Sequence, residues 1–255
     1  MRYSMKKRKI SKSSKSPSRP PSKSSKSPSK SSKLPGKSPK IKLKPVQGSE
    51  KWAEAPINQE LMKKITALLI IDVQNDFIPG GALAVSNGNL IIPKINKLRK
   101  LYDTVVVSQD WHPAGHVSFG STHSAPLFTM LNGQMMWPDH CVQNTNGAKL
   151  HKDLNTKKTD IVIKKGTNLK VDAYSAFFDN DHKSQTKLHA KLSALGIKNL
   201  DICGLAFDYC VGSTALDARS LGYRVRIIKP ATASVSKKSE LVMIEKLKNA
   251  GVDVV

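Results

Sequence analysis

Several things are scarce in this sequence, and each shortage narrows the field. There are three cysteines, Cys141, Cys203 and Cys210, an odd number at spacings that match no disulfide framework. Free thiols point to a reducing compartment, so an intracellular, cytoplasmic protein is expected. No apolar run approaches the length of a bilayer-spanning helix, so no membrane partner is expected. The amino-terminal stretch is basic but lacks the apolar segment of a secretory signal. Neither a HExxH nor a CxxC pattern occurs, so any metal site must be assembled from scattered ligands. Acids are few as well: 19 Asp and Glu face 42 Lys and Arg, a formal net charge of +23.

That positive charge is unevenly spread. Residues 1–50 hold sixteen Lys or Arg against one acid, Glu50, for a net +15, which leaves +8 for the remaining 205 residues. Residues 1–47 are almost wholly Lys, Ser and Pro, with Ser-Lys-Ser-Pro-Ser recurring near Ser14–Ser18 and Ser25–Ser29. Such a composition buries too little apolar surface to offset chain entropy. The expected organisation is therefore a disordered basic tail over 1–50 and one folded domain over 51–255. The tail fits a tether to nucleic acid, a nuclear address in Lys6, Lys7, Arg8 and Lys9, Ser-Pro phosphorylation sites, or a merely solvated arm.

From Ala67 the pattern changes. Continuous apolar runs suited to strands buried on both faces occur at Ala67–Ile71, Thr104–Ser108, Asp160–Lys164, Asn199–Cys203, Arg224–Ile228 and Val252–Val255. Helical spacing marks about 89–101, Ser184–Leu195, Val211–Leu221 and Ser239–Asn249. Long polar, Gly- and Pro-rich loops are expected over Val73–Asn89, Gln109 to about Thr159, and Gly166–Asp181. Alternating strands and helices predict an α/β fold, a Rossmann-like three-layer sandwich: a six-stranded, mainly parallel sheet with helices on both faces.

Ligands of such sheets bind beyond the carboxyl ends of the strands. Those ends carry Asp72, Asp110, Lys165 and the Cys210 turn. A cysteine at the start of a helix gains thiolate character from the helix dipole, and a nearby lysine adds to it. Asp72 is placed to move protons, although an Asx-type turn cap is an equal alternative for it. Asp110 and His112, two apart in an extended segment, face the same way, and His116 and His140 follow in the long loop. Asp and His suit zinc, iron or manganese, whereas His123 and His151 are less well placed. Spacing alone leaves open whether these are ligands or hydrogen-bonded loop histidines.

Six segments then carry a resemblance: IDVQNDF at 71–77, PGGALAV at 79–85, SQDWHPAGHVSF at 108–119, WPDHCVQN at 137–144, KGTNLKVDAYSAFF at 165–178 and GLAFDYCVG at 204–212. In this order they resemble the nicotinamidase (pyrazinamidase) family of the isochorismatase-like cysteine hydrolases, from about residue 67 to the end. The resemblance implies a catalytic triad of Asp72, Lys165 and Cys210. It implies one divalent metal, zinc before iron or manganese, on Asp110, His112 and His140. His116 matches a histidine that is a ligand in some members only. Leu205–Ala206 matches a cis peptide that turns the Ala206 N–H beside that of Cys210 as an oxyanion hole. Phe77, Trp137 and Tyr174 match the aromatic lining of a pyridine pocket. The implied activity is conversion of nicotinamide to nicotinate and ammonia through a cysteine thioester, in NAD salvage. Two alternatives stay open at this point: a related hydrolase acting on isochorismate or an N-carbamoyl compound, and a nucleic-acid-binding protein on a hydrolase fold. Metal-free relatives typically lack the Asp110/His112/His140 set, which favours nicotinamide. Oligomeric state is open, a homo-oligomer included.

Overall fold

A computed structural model describes residues 59–255. The expected disorder of 1–50, the boundary at 50/51 and the basic cluster Lys6–Lys9 lie outside these residues. In chain order the elements are α1 (Gln59–Lys64), β1 (Thr66–Ile71), α2 (Ile92–Leu98), β2 (Thr104–Asp110), α3 (Gly120–His123), β3 (Met130–Leu131), β4 (Gln134–Met135), β5 (Ile161–Lys165), α4 (Leu188–Ala194), β6 (Asn199–Gly204), α5 (Gly212–Ser220), β7 (Arg224–Thr232), α6 (Lys237–Asn249) and β8 (Asp253–Val254). Six strands form one sheet in the order β5-β2-β1-β6-β7-β8, and every neighbouring pair is parallel.

The residues of β1 explain its central place. All six are buried, and alternate residues serve opposite faces. Ala67, Leu69 and Ile71 pack with Leu188 and Leu192 of α4, Ala215 and Ala218 of α5, and Met243 and Leu247 of α6. Leu68 and Ile70 pack with Ile92 and Ile95 of α2 on the other side. Helices thus cover both faces, as expected of a three-layer α/β sandwich. The chain adds strands outward from β1 to β5, then returns to the opposite edge of β1 with β6. The direction of winding reverses between β1 and β6, and ligand crevices form at such a point.

Three expectations need correction. Helix α4 begins at Leu188, not Ser184. Ser184 O instead accepts from Asp179 N, Thr186 N donates to Phe177 O, and Thr186 Oγ1 accepts from Leu188 N. Competing bonds thus hold 184–186 against 177–179, with Gln185 bridged antiparallel to Phe178. The segment 109–159 is not one loop, because β3 and β4 pair antiparallel across Asn132-Gly133, which stand at φ 50° and 82°. Two left-handed residues are what a tight hairpin turn needs, and Asn-Gly supplies them. Strand β7 continues through Pro230 to Thr232, with a register shift opposite Ile202 and Gly204.

Candidate active site

Lys165 is the hub of the site. It ends β5 and is 1% exposed. Its Nζ donates to Asp110 Oδ1 at 2.5 Å, to the Ala173 carbonyl at 2.9 Å and to Cys210 Sγ at 3.4 Å. It also lies 3.0 Å from Asp72 Oδ2. Three bonds satisfy the ammonium, and Asp72 Oδ2, although close to it, lacks a well-aligned hydrogen-bond partner. Asp72 follows β1 at φ 47°, a left-handed conformation that aspartate tolerates. Ser108 of β2 donates to Asp72 Oδ1 at 2.6 Å and accepts from Asp72 N at 3.2 Å. Cys210 lies in a wide helical turn, Phe207–Val211, that leads directly into α5. The sheet register sets Asp110 and Lys165 side by side on β2 and β5.

Burial dominates the protonation of this cluster. It pushes the Asp72 carboxyl up, against the pull of Lys165, and the neighbouring Asp110 charge raises it further. Burial likewise pushes the Cys210 thiol well up, with Lys165 again opposing. For Lys165 itself burial favours the neutral amine, but Asp110, Asp72 and Cys210 together overcome it and hold the cation well above its ordinary range. Asp110 is the carboxylate kept ionised: burial is outweighed by Lys165 and His112. The cluster therefore holds one firm cation, one firm anion, and an acid–thiol couple between which a proton can move.

Asp110 faces a second group. His112 Nε2 and His140 Nε2 stand 3.6 and 3.9 Å from Asp110 Oδ2. The other ring nitrogens are fixed by carbonyls, His112 Nδ1 on Gly166 O at 2.9 Å and His140 Nδ1 on Pro138 O at 2.7 Å. That leaves both Nε2 atoms beside Asp110 Oδ2, and metal-binding histidines are held in this way, with the other ring nitrogen on a carbonyl. His112 Nε2 is buried without a hydrogen-bond partner. An orphaned acceptor beside a carboxylate and a second imidazole is a donor set for a divalent cation, and the three residues offer ligand atoms within 4.8 Å of one another. His116 stands outside this triangle. Its ring stacks on His112 at 4.1 Å, while Nδ1 meets Ser118 Oγ at 2.8 Å and Nε2 meets Val171 O at 3.4 Å. His123 is bonded to Val117 O, and His151 faces Asp153; neither belongs to the set.

A cleft opens between the two groups. It holds about 420 Å3 of empty space, the open solvent at its mouth included. Phe77, Trp137, Tyr174, Asp110, His140, Ala206 and Cys210 all line it. Trp137 Nε1 donates to the Tyr174 hydroxyl at 3.2 Å, and Phe77 leans on His140 with ring centroids 5.6 Å apart. The Leu205–Ala206 peptide is cis.

Four residues around the site escaped sequence reading. Tyr209 lines the cleft and meets the Trp137 ring edge-on at 5.1 Å. Asp172, 4% exposed, forms part of the wall and accepts from Gln134 Nε2 at 3.0 Å. Ser108 and Gln74 hold Asp72 and Asp110 from behind. All four lie inside the segments that carry the family resemblance, and that membership was the available signal. Ser108 and Gln74 act across 36 positions of sequence, which no local pattern reveals.

Comparison with known proteins gives the family. Residues 66–255 match the isochorismatase domain family. The nicotinamidase of Escherichia coli K12 is 47% identical over 178 residues, covering 67% of this chain and 84% of that protein. A structure of PnC1 from L. infantum in complex with nicotinate is 37% identical, with a TM-score of 0.69 over 76% of this chain and 93% of that one. A pyrazinamidase of Pyrococcus horikoshii in complex with zinc is 35% identical, with a TM-score of 0.65 over 75% of this chain and 98% of that one. With a family match along most of its length and a nicotinamidase nearly half identical to it, this chain belongs to the nicotinamidase family of isochorismatase-fold hydrolases.

Proposed function

We propose that the chain hydrolyses nicotinamide to nicotinate and ammonia, with Cys210 as nucleophile, Asp72 as proton carrier and Lys165 as the fixed cation between them. The observation that carries this reading is the convergence of Lys165 Nζ on Asp72, Asp110 and Cys210 at the floor of an aromatic cleft. The nicotinamidase relatives and the nicotinate-bound homologue supply the substrate class.

The chemistry follows from the protonation of the cluster. Asp72 Oδ2, open to a donor, takes the Cys210 proton, and the new thiolate is stabilised by the ammonium at 3.4 Å. The sulfur adds to the carboxamide carbon, and the carbonyl oxygen becomes an oxyanion. Backbone N–H groups of Ala206 and Cys210 are assigned to receive it, each worth about 3 kcal/mol in comparable sites. Asp72 returns its proton to the amide nitrogen, the C–N bond breaks, and ammonia leaves a thioester on Cys210. A water then gives its proton to Asp72 and adds to the thioester. Collapse of that second adduct breaks the C–S bond, releases nicotinate and restores the cysteine. Raised affinity of Asp72 for a proton suits this shuttle, because a carboxyl of ordinary acidity would be a poor acceptor from a thiol.

Asp110, His112 and His140 are assigned to one divalent metal, and zinc is the favoured ion, with iron and manganese also compatible with the donors. When bound, such an ion supplies an electrophilic anchor for the pyridine nitrogen. Phe77, Trp137 and Tyr174 flank the ring and keep water from its faces. Ammonia release from nicotinamide tests the whole reading. Zinc-loaded wild type should release it and Cys210→Ala should not; a silent wild type would sink the assignment.

A further inference from the structure

Strand β2 outlasts its neighbour. Ile70 of β1 pairs with Val107, and β1 ends at Ile71, so Asp110 projects beyond the last strand residue beside it. The N–H and C=O of one strand residue point to the same side, and here that side faces the vacated edge of β1. Such groups need partners when buried. The side chain of Gln74 provides both. Its Oε1 accepts from Asp110 N at 2.8 Å, and its Nε2 donates to Asp110 O at 2.8 Å. The second Nε2 proton goes to Ala148 O at 2.9 Å. Gln74 is fully buried, and its amide stands in for the peptide group that β1 no longer supplies.

We infer that Gln74 is a positioning residue that fixes the backbone of Asp110, and so sets the affinity of the Asp110/His112/His140 site for its metal ion. The inference rests on the metal assignment proposed above. Asp110 is the residue with most at stake in its placement. One carboxylate oxygen serves Lys165 at 2.5 Å, and the other faces His112 and His140 at 3.6 and 3.9 Å. A small rotation of its backbone would move both oxygens at once. Gln74 also belongs to the turn that carries Asp72, since Gln74 N donates to Asp72 O at 2.8 Å. One side chain therefore joins the proton carrier's loop to the metal ligand's strand. Gln109 is the natural control. It is buried and gives its Nε2 to the same Ala148 carbonyl at 2.9 Å, but this bond does not engage the Asp110 backbone.

The test is zinc affinity, measured by competition with a chromogenic chelator on stripped and refolding-competent full-length protein. Gln74→Met should bind zinc about 10- to 100-fold more weakly than wild type, the range seen when outer partners of metal ligands are removed. Gln74→Glu keeps the acceptor, can offer at most one donor in place of two, and should weaken binding as well; it reads the effect should Gln74→Met fail to fold. Gln109→Met should keep wild-type zinc affinity. Wild-type affinity in Gln74→Glu would overturn the inference. So would equal losses in the Gln74 and Gln109 variants, which would mean a general structural effect. A wild-type chain that takes up no zinc would instead overturn the metal assignment, and this inference with it.

Discussion

Lys165 Nζ and Asp110 Oδ1 are 2.5 Å apart, so the proton-transfer cluster and the metal-binding set share a single charge pair. The two halves of the site are electrostatically one object. Substitution in either half should be felt in the other.

Lys165→Met provides the first check. It leaves Asp72 and Asp110 buried without their cation. Breaking a buried pair in this way costs about 3–5 kcal/mol, and one carboxyl should take up a proton at neutral pH. Turnover should fall on the order of 10^3-fold or more, as for other members of a catalytic unit. Urea denaturation and ammonia release read the two effects. A variant with a turnover number within tenfold of wild type would refute the role given to Lys165.

Ser108→Ala addresses the acidity of Asp72. The Ser108 hydroxyl stabilises the ionised carboxylate, so its hydrogen bond lowers the Asp72 pKa against the stronger upward push of burial. Removing it should raise that pKa further. The base form of Asp72 is the one that receives the thiol proton. The acid limb of the kcat/KM profile should therefore move to higher pH, with activity lost first at the acid end. The lost buried bond should also cost about 1–2 kcal/mol of stability. An acid limb that stays in place, or moves to lower pH, would contradict the assignment of Asp72 as base.

Gly166→Ala tests the seat of His112. Gly166 stands at φ +62°, and a methyl group there would lie 2.4 Å from His112 Cε1 and 2.7 Å from Nδ1. Backbone strain of about 1–3 kcal/mol would accompany the collision. The imidazole must shift, and the Gly166 carbonyl that orients it must shift too. Zinc content after dialysis should drop well below that of wild type, while the far end of the sheet stays folded by circular dichroism. Full zinc retention would argue that His112 is not held from this side.

Much of this was legible in the residues. Ala67–Ile71 reads as a central strand because both of its faces are apolar, and the structure buries both. Asp72, Asp110 and Lys165 could be placed on one rim because each follows the end of such a run by one or two residues, and Cys210 because it lies in the turn between such a run and the next helix. What stayed hidden has a common cause. Ser108 and Gln74 look like ordinary polar residues, and their importance comes from partners 36 positions away. Helix α4 starts late because Thr186 bonds back to Ala176 and Phe177 while its hydroxyl accepts from Leu188 N, a choice that helical periodicity cannot register. Asn132-Gly133 is a readable hairpin signal, but it sits in a stretch otherwise dominated by loop residues.

The winding order of the sheet also has a meaning for the chain during its synthesis. Strands β1, β2 and β5 are complete once Lys165 has emerged, yet the partner for the other edge of β1 begins only at Asn199. At ribosomal rates of about 5–20 residues per second, the wait from Ile71 to that partner lasts on the order of ten seconds. Throughout it, the most apolar strand of the protein presents an open edge, the kind of surface that recruits other chains. The segment that closes this edge leads straight into the turn bearing Cys210, so the strand that covers β1 is also the one that delivers the nucleophile, and the open edge passes to β6 until β7 follows.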